Sequence, residues 1–174
     1  MLELTLSDNG LELLKQLEGF RAIPYRDAAG LWTVGYGHKV VPGDGVVVPG
    51  DCITSLQASK FLIKDTTRAV DCVNNCVTSN INQNQFDALV LFAYNVGASA
   101  LQNSTLLKLV NEGDYSGAAG QFLLWDKAHV QGQFIELAGL KNRRTAEKTL
   151  FELPVTGGIS ECSATSLPSL TGTN

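Results

Sequence analysis

The sequence has no excess of positive charge. Thirteen lysines and arginines stand against 17 aspartates and glutamates, which gives a formal net charge of -4 over 174 residues. Proteins that bind nucleic acid through its phosphates usually present a basic patch or stripe. The acidic balance therefore predicts no nucleic-acid partner. Net charge describes the whole surface, however, and it leaves the charge of any single cleft open.

Long apolar runs are also missing. No stretch approaches the ~18 consecutive apolar residues of a membrane-spanning helix. The first residues, MLELTLSDNG, have neither a basic segment nor an apolar run of signal-peptide length. We therefore expect a chain made in the cytoplasm without a cleavable signal peptide and without stable membrane insertion. A target beyond the membrane would then require a separate route of release.

The sequence lacks a recognisable metal or redox motif. The segment CVNNC has the wrong gap for a CxxC motif, and no pair of histidines completes a zinc site. We accordingly expect no metal and no cofactor. Two alternatives stay open for the cysteines, namely reduced thiols or one to two disulfides formed after release, and four cysteines allow three fully paired connectivities. They are Cys52, Cys72, Cys76 and Cys162.

What is present suits one globular domain with a core, in one lobe or two, since 44% of the residues are hydrophobic. The first element is a helix, because leucines recur at helical spacing between residues 11 and 17. Ser7 or Asp8 is its expected N-cap and Gly19 its expected end. Glu18 then lies in the last turn, where the helix dipole disfavours an anion.

A change of pattern follows at residues 24–41, where aromatic and β-branched residues mix with glycines. This predicts a small antiparallel sheet with a turn at the DAAG segment, residues 27–30. Residues 41–52 are expected to form a loop or a further hairpin. Helical periodicity then returns over residues 53–77, which predicts one long connecting helix capped by Thr54.

The remainder is predicted to be entirely helical. Residues 82–97 are apolar around nearly the whole circumference, which indicates a buried central helix ending at Gly97. After Pro154 the chain is rich in serine, threonine, glycine and proline, and residues 156–174 are expected to be a surface tail or partly disordered. The other predicted helices are 103–113, 114–128 and 137–153.

The segment LEGFRAIPYRDAAGLWTVGYGH, residues 17–38, carries the candidate chemistry. Glycoside hydrolysis generally uses two carboxyl groups, one protonated and one ionised. Glu18 has apolar neighbours at a helix end, and these conditions raise a carboxyl pKa, whereas Asp27 in a polar turn should stay ionised. Thr33 would add a hydroxyl if the strand folds back over the helix end. On composition alone, a turn aspartate and a solvated glutamate are the simpler interpretation.

The order of these residues favours the catalytic interpretation. Eight residues separate the Glu from the Asp, five separate the Asp from the Thr, and VGYGH follows the Thr. This spacing resembles the active-site signature of the bacteriophage-type lysozymes, the endolysins. Four later blocks resemble that family in the same order, so the likeness covers roughly residues 7–153. These blocks are 83–97, 104–115, 118–125 and 139–151.

The resemblance implies a fold, a reaction and a biological setting. The implied fold is α+β and lysozyme-like, with a short antiparallel sheet in a small lobe and a long helix near 54–76 leading to a mainly helical lobe. Residues 1–155 would form this catalytic domain, followed by a polar tail at 156–174. The chain would act as a monomer on peptidoglycan in the periplasm, after release through a holin, and lyse the bacterial host.

The resemblance also implies roles for the candidate residues. Glu18 would be the general acid, Asp27 the ionised partner across the sugar, and Thr33 a holder of the attacking water in an inverting reaction. The bond cleaved would be the β-1,4 bond between N-acetylmuramic acid and N-acetylglucosamine. His38 would pair with Asp65 in a structural role.

Further candidates lie in the helical part. The resemblance puts Tyr94 and Asn95 at the cleft floor, although a helix C-cap at Asn95–Gly97 explains the same residues. Ser104 is first a helix cap, but its counterpart region lines the sugar-binding cleft. Arg143 could bind the carboxylate of the peptide stem or lie on a solvated charged face.

Two helical residues have expected structural roles. Arg144 and Glu147 lie three residues apart on one predicted helix and should form a salt bridge. Trp125 is expected to pack in the core rather than contact sugar.

Two rival functions remain open. A lytic transglycosylase on a similar fold needs one acid and no second carboxylate, so Asp27 argues against it. A non-catalytic module that binds the cell wall would make the Glu–Asp–Thr spacing accidental.

Overall fold

Helix α1 places Glu18 at its end. The computed structural model describes residues 3–130 and 133–154, apart from residues 47 and 49. In it α1 runs Asp8–Glu18, with Ser7 as N-cap and Gly19 as C-cap. The Ser7 hydroxyl accepts a hydrogen bond from the Gly10 N–H, and Gly19 adopts a φ of 72°. Both ends therefore confirm the prediction from the sequence.

A three-stranded antiparallel sheet follows α1. Its strands are β1 (Arg21–Arg26), β2 (Trp32–Gly35) and β3 (His38–Lys39), in the order β1-β2-β3. The sheet begins three residues earlier than predicted. Residues 41–46, 48 and 50–52, the described part of the following segment, contain no strand, so the alternative of a further hairpin there is wrong for these residues.

Helix α2 joins two apolar clusters. It runs Ser55–Cys76, and Thr54 and Gln57 form a capping box at its start, which confirms the long connecting helix. Ala58 packs with Val34 and Ile53 in a small cluster beneath the sheet. The rest of its buried face, including Leu62, enters a much larger cluster. We call the sheet with its cluster the small lobe, and the part around the larger cluster the helical lobe.

The helical lobe is built around α3 (Gln83–Val96), whose residues 85–93 are all buried. This confirms the prediction of a central helix that is apolar around most of its circumference. Trp125 packs edge-on against Phe92, with ring centroids 5.3 Å apart, as expected for a core residue. The other helices are α4 (Ala98–Gln102), α5 (Thr105–Glu112), α6 (Tyr115–Phe122) and α7 (Ala138–Glu152).

The prediction that the chain between residue 77 and Pro154 is entirely helical is wrong. Strands β4 (Lys127–Val130) and β5 (Gln133–Glu136) pair as an antiparallel hairpin. Two residues, Gln131 and Gly132, separate the strands, and a two-residue connection containing glycine is a typical hairpin signal. Helical periodicity on both sides of this short segment concealed that signal.

Some predictions fall at the limits of the described residues. The tail at 156–174, the domain boundary after residue 155 and Cys162 all lie outside them. Cys52, Cys72 and Cys76 are free thiols. Within the described part of the chain, none of the helices combines the length and apolarity that crossing a membrane requires.

Candidate active site

Glu18 is bound by an arginine from the far end of the chain. Its Oε1 accepts a hydrogen bond from Arg143 Nη1 at 2.7 Å, and its side chain is 21% exposed. Arg143 in turn donates from Nε to Glu147 Oε1 at 3.0 Å. The surroundings of Glu18 are therefore not simply apolar, as the sequence indicated, because a buried guanidinium fixes one of its oxygens.

Arg143 belongs to a buried charged cluster on α7. Arg144 Nη1 lies 3.0 Å from Glu147 Oε2, which confirms the predicted salt bridge. Arg144 also donates from Nη2 to Asn95 Oδ1, and its guanidinium lies 5.0 Å from the centre of the Phe92 ring. Burial raises the pKa of Glu147 to about 7, while the two guanidiniums act in the opposite direction. The alternative of a solvated charged face for Arg143 is wrong, because all three charged side chains are buried.

Asp27 lies in the turn after β1 and is held as a carboxylate. Its Oδ1 accepts hydrogen bonds from the N–H groups of Ala29 at 2.9 Å and Leu31 at 2.8 Å. Its Oδ2 accepts a hydrogen bond from Lys39 Nζ. The Lys39 hydrogen bond first, and the Leu31 N–H next, hold the pKa of Asp27 below its ordinary value of 3.8. The polar turn thus keeps Asp27 ionised at neutral pH, as expected.

Thr33 is fully buried on the central strand β2. Its hydroxyl donates to the Leu31 carbonyl at 3.2 Å and accepts from Lys39 Nζ at 3.2 Å. Lys39 lies directly opposite Thr33 on β3, and so reaches both Thr33 and Asp27. Lys39 was not predicted from the sequence, because its contacts depend on the register across the glycine-rich turn between β2 and β3.

That turn brings the sheet next to Glu18. Gly37 approaches so closely that a Cβ atom added there would lie 3.8 Å from Glu18 Oε2. Gly35 adopts a φ of 65° against α2, where an added Cβ would lie 2.8 Å from the Ala58 Cβ. Both positions need glycine, because a side chain would be strained at these φ values. The turn between β2 and β3 therefore lies against the end of α1, and the approach of Asp27 and Thr33 to Glu18 stays a prediction.

His38 links the sheet to α2. Its Nδ1 lies 2.8 Å from Asp65 Oδ2, so the predicted contact is present. A second carboxylate, Asp44 Oδ2, lies 3.0 Å from Nε2, and the Phe61 ring stacks on the imidazole at 4.2 Å. Asp44 lies in a loop, and no pattern in the sequence predicts its contact with His38. The structural role of His38 stays a prediction.

The remaining candidates lie at the ends of α3 and α5. Tyr94 is half-buried, and burial together with the Glu18 charge raises its pKa, so Tyr94 lies within electrostatic range of Glu18. Gly97, not Asn95, is the C-cap of α3. Ser104 caps α5 by accepting from the Leu107 N–H at 3.0 Å. The substrate contacts of Tyr94, Asn95 and Ser104 stay predictions.

The chain is similar to phage lysozymes and endolysins. The family model described as phage lysozyme matches residues 15–147. The endolysin of Acyrthosiphon pisum secondary endosymbiont phage 1 is 44% identical over 147 residues, which are 84% of this chain and 97% of that protein. The endolysin of Bacillus phage B103 is 38% identical over 98% of this chain, but the chain spans only 62% of that relative's length.

A solved structure extends the likeness to three dimensions. The endolysin from Escherichia coli O157:H7 phage FAHEc1 is similar with a TM-score of 0.80 at 38% sequence identity. The match covers 86% of this chain and 94% of that one.

Proposed function

The chain belongs to the phage lysozyme family, and we propose on this premise that it cleaves the β-1,4 bond between N-acetylmuramic acid and N-acetylglucosamine with inversion. Family membership makes it an endolysin of the muramidase class, a glycoside hydrolase whose substrate is peptidoglycan and whose action lyses the bacterial host. Beyond family membership, we propose which bond is cleaved, that the anomeric carbon is inverted, and which role each residue has.

The observation that carries these roles is the position of the β2–β3 turn beside Glu18 Oε2. It supports them because the same small sheet carries Thr33 on β2 and Asp27 in the turn between β1 and β2. The two carboxyl groups also have different partners, a guanidinium for Glu18 and two backbone N–H groups with an ammonium for Asp27. Two carboxyl groups in unlike environments are what a glycosidase needs to divide acid and base roles.

The reaction then runs in one displacement. Glu18 donates its proton to the glycosidic oxygen as the bond to the sugar C1 breaks. Water attacks C1 from the opposite face, and its proton passes to the Asp27 carboxylate. Thr33 orients that water. Arg143 occupies Oε1 of Glu18, so Oε2 is the oxygen available to carry the proton.

Substitution of Glu18 by Gln tests the acid. We expect the release of reducing ends from purified peptidoglycan to fall by about 10²–10⁴-fold, the usual contribution of general acid catalysis. Glu12→Gln on the same helix is the control, since that side chain is 64% exposed and pairs with Lys15. Circular dichroism checks that both variants fold. Full activity of Glu18→Gln would overturn the assignment.

Product chemistry separates the rivals. Hydrolysis leaves a reducing end, whereas a lytic transglycosylase leaves a 1,6-anhydro end, and mass spectrometry distinguishes them. Proton NMR of the first product formed reports the anomer, and inversion at a β bond releases the α anomer. Binding of purified sacculi without their clearance would instead identify a non-catalytic module.

The cleft contacts and the route to the wall complete the proposal. Tyr94, Asn95, Ser104 and Arg143 are the substrate-binding candidates, although the burial of Arg143 against Glu18 favours a role in holding the acid. The protein acts as a monomer and reaches the periplasmic wall through a holin. Expression in Escherichia coli without a holin should therefore leave cells intact until chloroform permeabilises the membrane. Lysis before that treatment would contradict holin dependence.

A further inference from the structure

Lys39 contacts both groups that the proposed reaction uses to activate water. Its Nζ donates to Asp27 Oδ2 and to Thr33 Oγ1, the latter at 3.2 Å. This inference rests on the function proposed above. We propose that Lys39 is a positioning residue of the reaction, which holds Asp27 and Thr33 as one unit and sets the lowest pH at which the enzyme works.

The other hydrogen bonds of Asp27 and Thr33 are made to backbone groups of the turn that contains Asp27. Asp27 Oδ1 is occupied by the N–H groups of Ala29 and Leu31, both from its own turn. The Thr33 hydroxyl gives its proton to the Leu31 carbonyl, so its oxygen is an acceptor toward Lys39. Among the described residues, the contact that joins the carboxylate to the hydroxyl is the Lys39 ammonium.

The charges around Asp27 support the same assignment. Arg26, its chain neighbour, directs Nη1 to the Gly30 carbonyl at 2.6 Å and stacks over the Trp32 ring at 4.3 Å, so its guanidinium is engaged elsewhere. Lys39, on the adjacent strand, is the charged side chain whose hydrogen bond does most to lower the pKa of Asp27. Its own side chain is 50% exposed, so solvent screens part of this effect.

The direction of the expected effect follows from the role of Asp27. A general base works only when ionised, so the rate falls as the pH falls through the pKa of Asp27. Lys39 lowers that pKa, and its removal should raise it. The acid limb of the pH–rate profile should therefore move to higher pH when Lys39 is replaced by an uncharged residue.

The test compares wild type with Lys39→Met and Lys39→Arg. For each protein, kcat and KM are measured on soluble peptidoglycan fragments across the acid pH range. We expect the acid limb to move to higher pH in Lys39→Met, with kcat affected more than KM, and to stay near wild type in Lys39→Arg. Lys141→Met is the matched control. It removes a somewhat more exposed ammonium, paired with Glu136 at 2.9 Å, outside the site.

A second readout does not depend on activity. The carboxyl carbon of Asp27, followed by NMR against pH, should titrate at higher pH in Lys39→Met than in wild type and in Lys141→Met. Equal Asp27 midpoints in wild type and Lys39→Met would overturn the inference, as would an acid limb that does not move. If Lys39→Met does not fold, Lys39→Gln removes the charge and serves in the same measurements.

The two proposals fail in different ways. A wild-type protein that releases no reducing ends overturns the proposed function, while the Asp27 titration still shows whether Lys39 controls that carboxyl group. A wild-type enzyme that hydrolyses peptidoglycan, with no effect of Lys39→Met on either readout, overturns the role of Lys39 alone.

Discussion

Asp27 is held by residues close to it in sequence, whereas Glu18 is held by a residue far from it in sequence. The contacts of Asp27 come from within twelve residues, namely Ala29, Leu31 and Lys39. Glu18 is held by Arg143, which lies 125 residues away in sequence. Local contacts suit a carboxylate that must stay ionised, because backbone N–H groups of a tight turn are always present. The position of Glu18, the proposed acid, instead depends on the complete fold.

Asp27→Asn should abolish most of the activity without unfolding the protein. The amide oxygen of Asn can still accept the two backbone N–H bonds of the turn, but it cannot take a proton from water. We expect kcat to fall by about 10²–10⁴-fold, as for the loss of a general base. Steady-state kinetics on soluble peptidoglycan fragments measure this.

The matched control for that variant is Asp114→Asn. Asp114 caps α6 by accepting from the Gly117 N–H, and Asn is an equally good N-cap, so neither stability nor activity should change. An Asp27→Asn enzyme within a few-fold of wild type would show that the reaction needs no second carboxylate, as in a transglycosylase.

The spacing of Glu18, Asp27 and Thr33 could be read from the sequence because all three belong to one helix–hairpin unit. The contacts of Lys39 and Arg143 could not be predicted from the sequence. Lys39 reaches Asp27 and Thr33 because of the register between β2 and β3. That register depends on the geometry of the turn, which glycine-rich segments specify weakly. Arg143 acts through tertiary packing, which brings together residues with no local relation.

At the scale of elements, the sequence predicted best where end signals were strong. Helices α1, α2 and α3 begin with side-chain caps, and α1 and α3 end at glycines. The five-residue α4 and the β4–β5 hairpin were missed, since each is shorter than the window over which periodicity is informative. The fold class followed from the longer elements.

The charged face of α7 gives a prediction at this scale. Glu147→Ala should lower the free energy of unfolding by about 3–5 kcal/mol, because it leaves two buried guanidiniums without their shared carboxylate. Arg143 would also lose the Nε contact that aims it at Glu18. Urea unfolding followed by circular dichroism measures the change.

The same helix supplies the control. Glu152 pairs with Lys148 at the exposed end of α7, and Glu152→Ala should cost less than about 1 kcal/mol. Equal losses in the two variants would mean that the buried cluster contributes no more than a surface pair.

Over the whole molecule, the net charge of -4 opposes binding to an anionic wall polymer. Salt screens such repulsion, since the Debye length falls from about 30 Å at 0.01 M to about 10 Å at 0.1 M. We therefore expect the initial rate on purified sacculi to rise as salt is added from low ionic strength. Turbidity loss against salt concentration measures this.

A charge variant checks the cause. Glu12→Lys combined with Glu112→Lys changes two exposed side chains and brings the net charge from -4 to zero. The rise in rate with salt should then largely disappear. A wild-type rate that falls with added salt would show instead that a basic cleft, not the net charge, governs association.

The proposed acid, Glu18, and the proposed base, Asp27, are fixed to different apolar clusters. Helix α1 is held to the helical lobe, since the Ser7 N–H donates to the buried Asp87 of α3 at 3.1 Å and Arg143 of α7 binds Glu18. The sheet that carries Asp27 packs through Val34 on the small cluster with Ala58. An inverting reaction needs about 6.5–9.5 Å between its carboxyl groups. An inhibitor that wedged the lobes apart would therefore stop the reaction without resembling a sugar and without touching either carboxyl group.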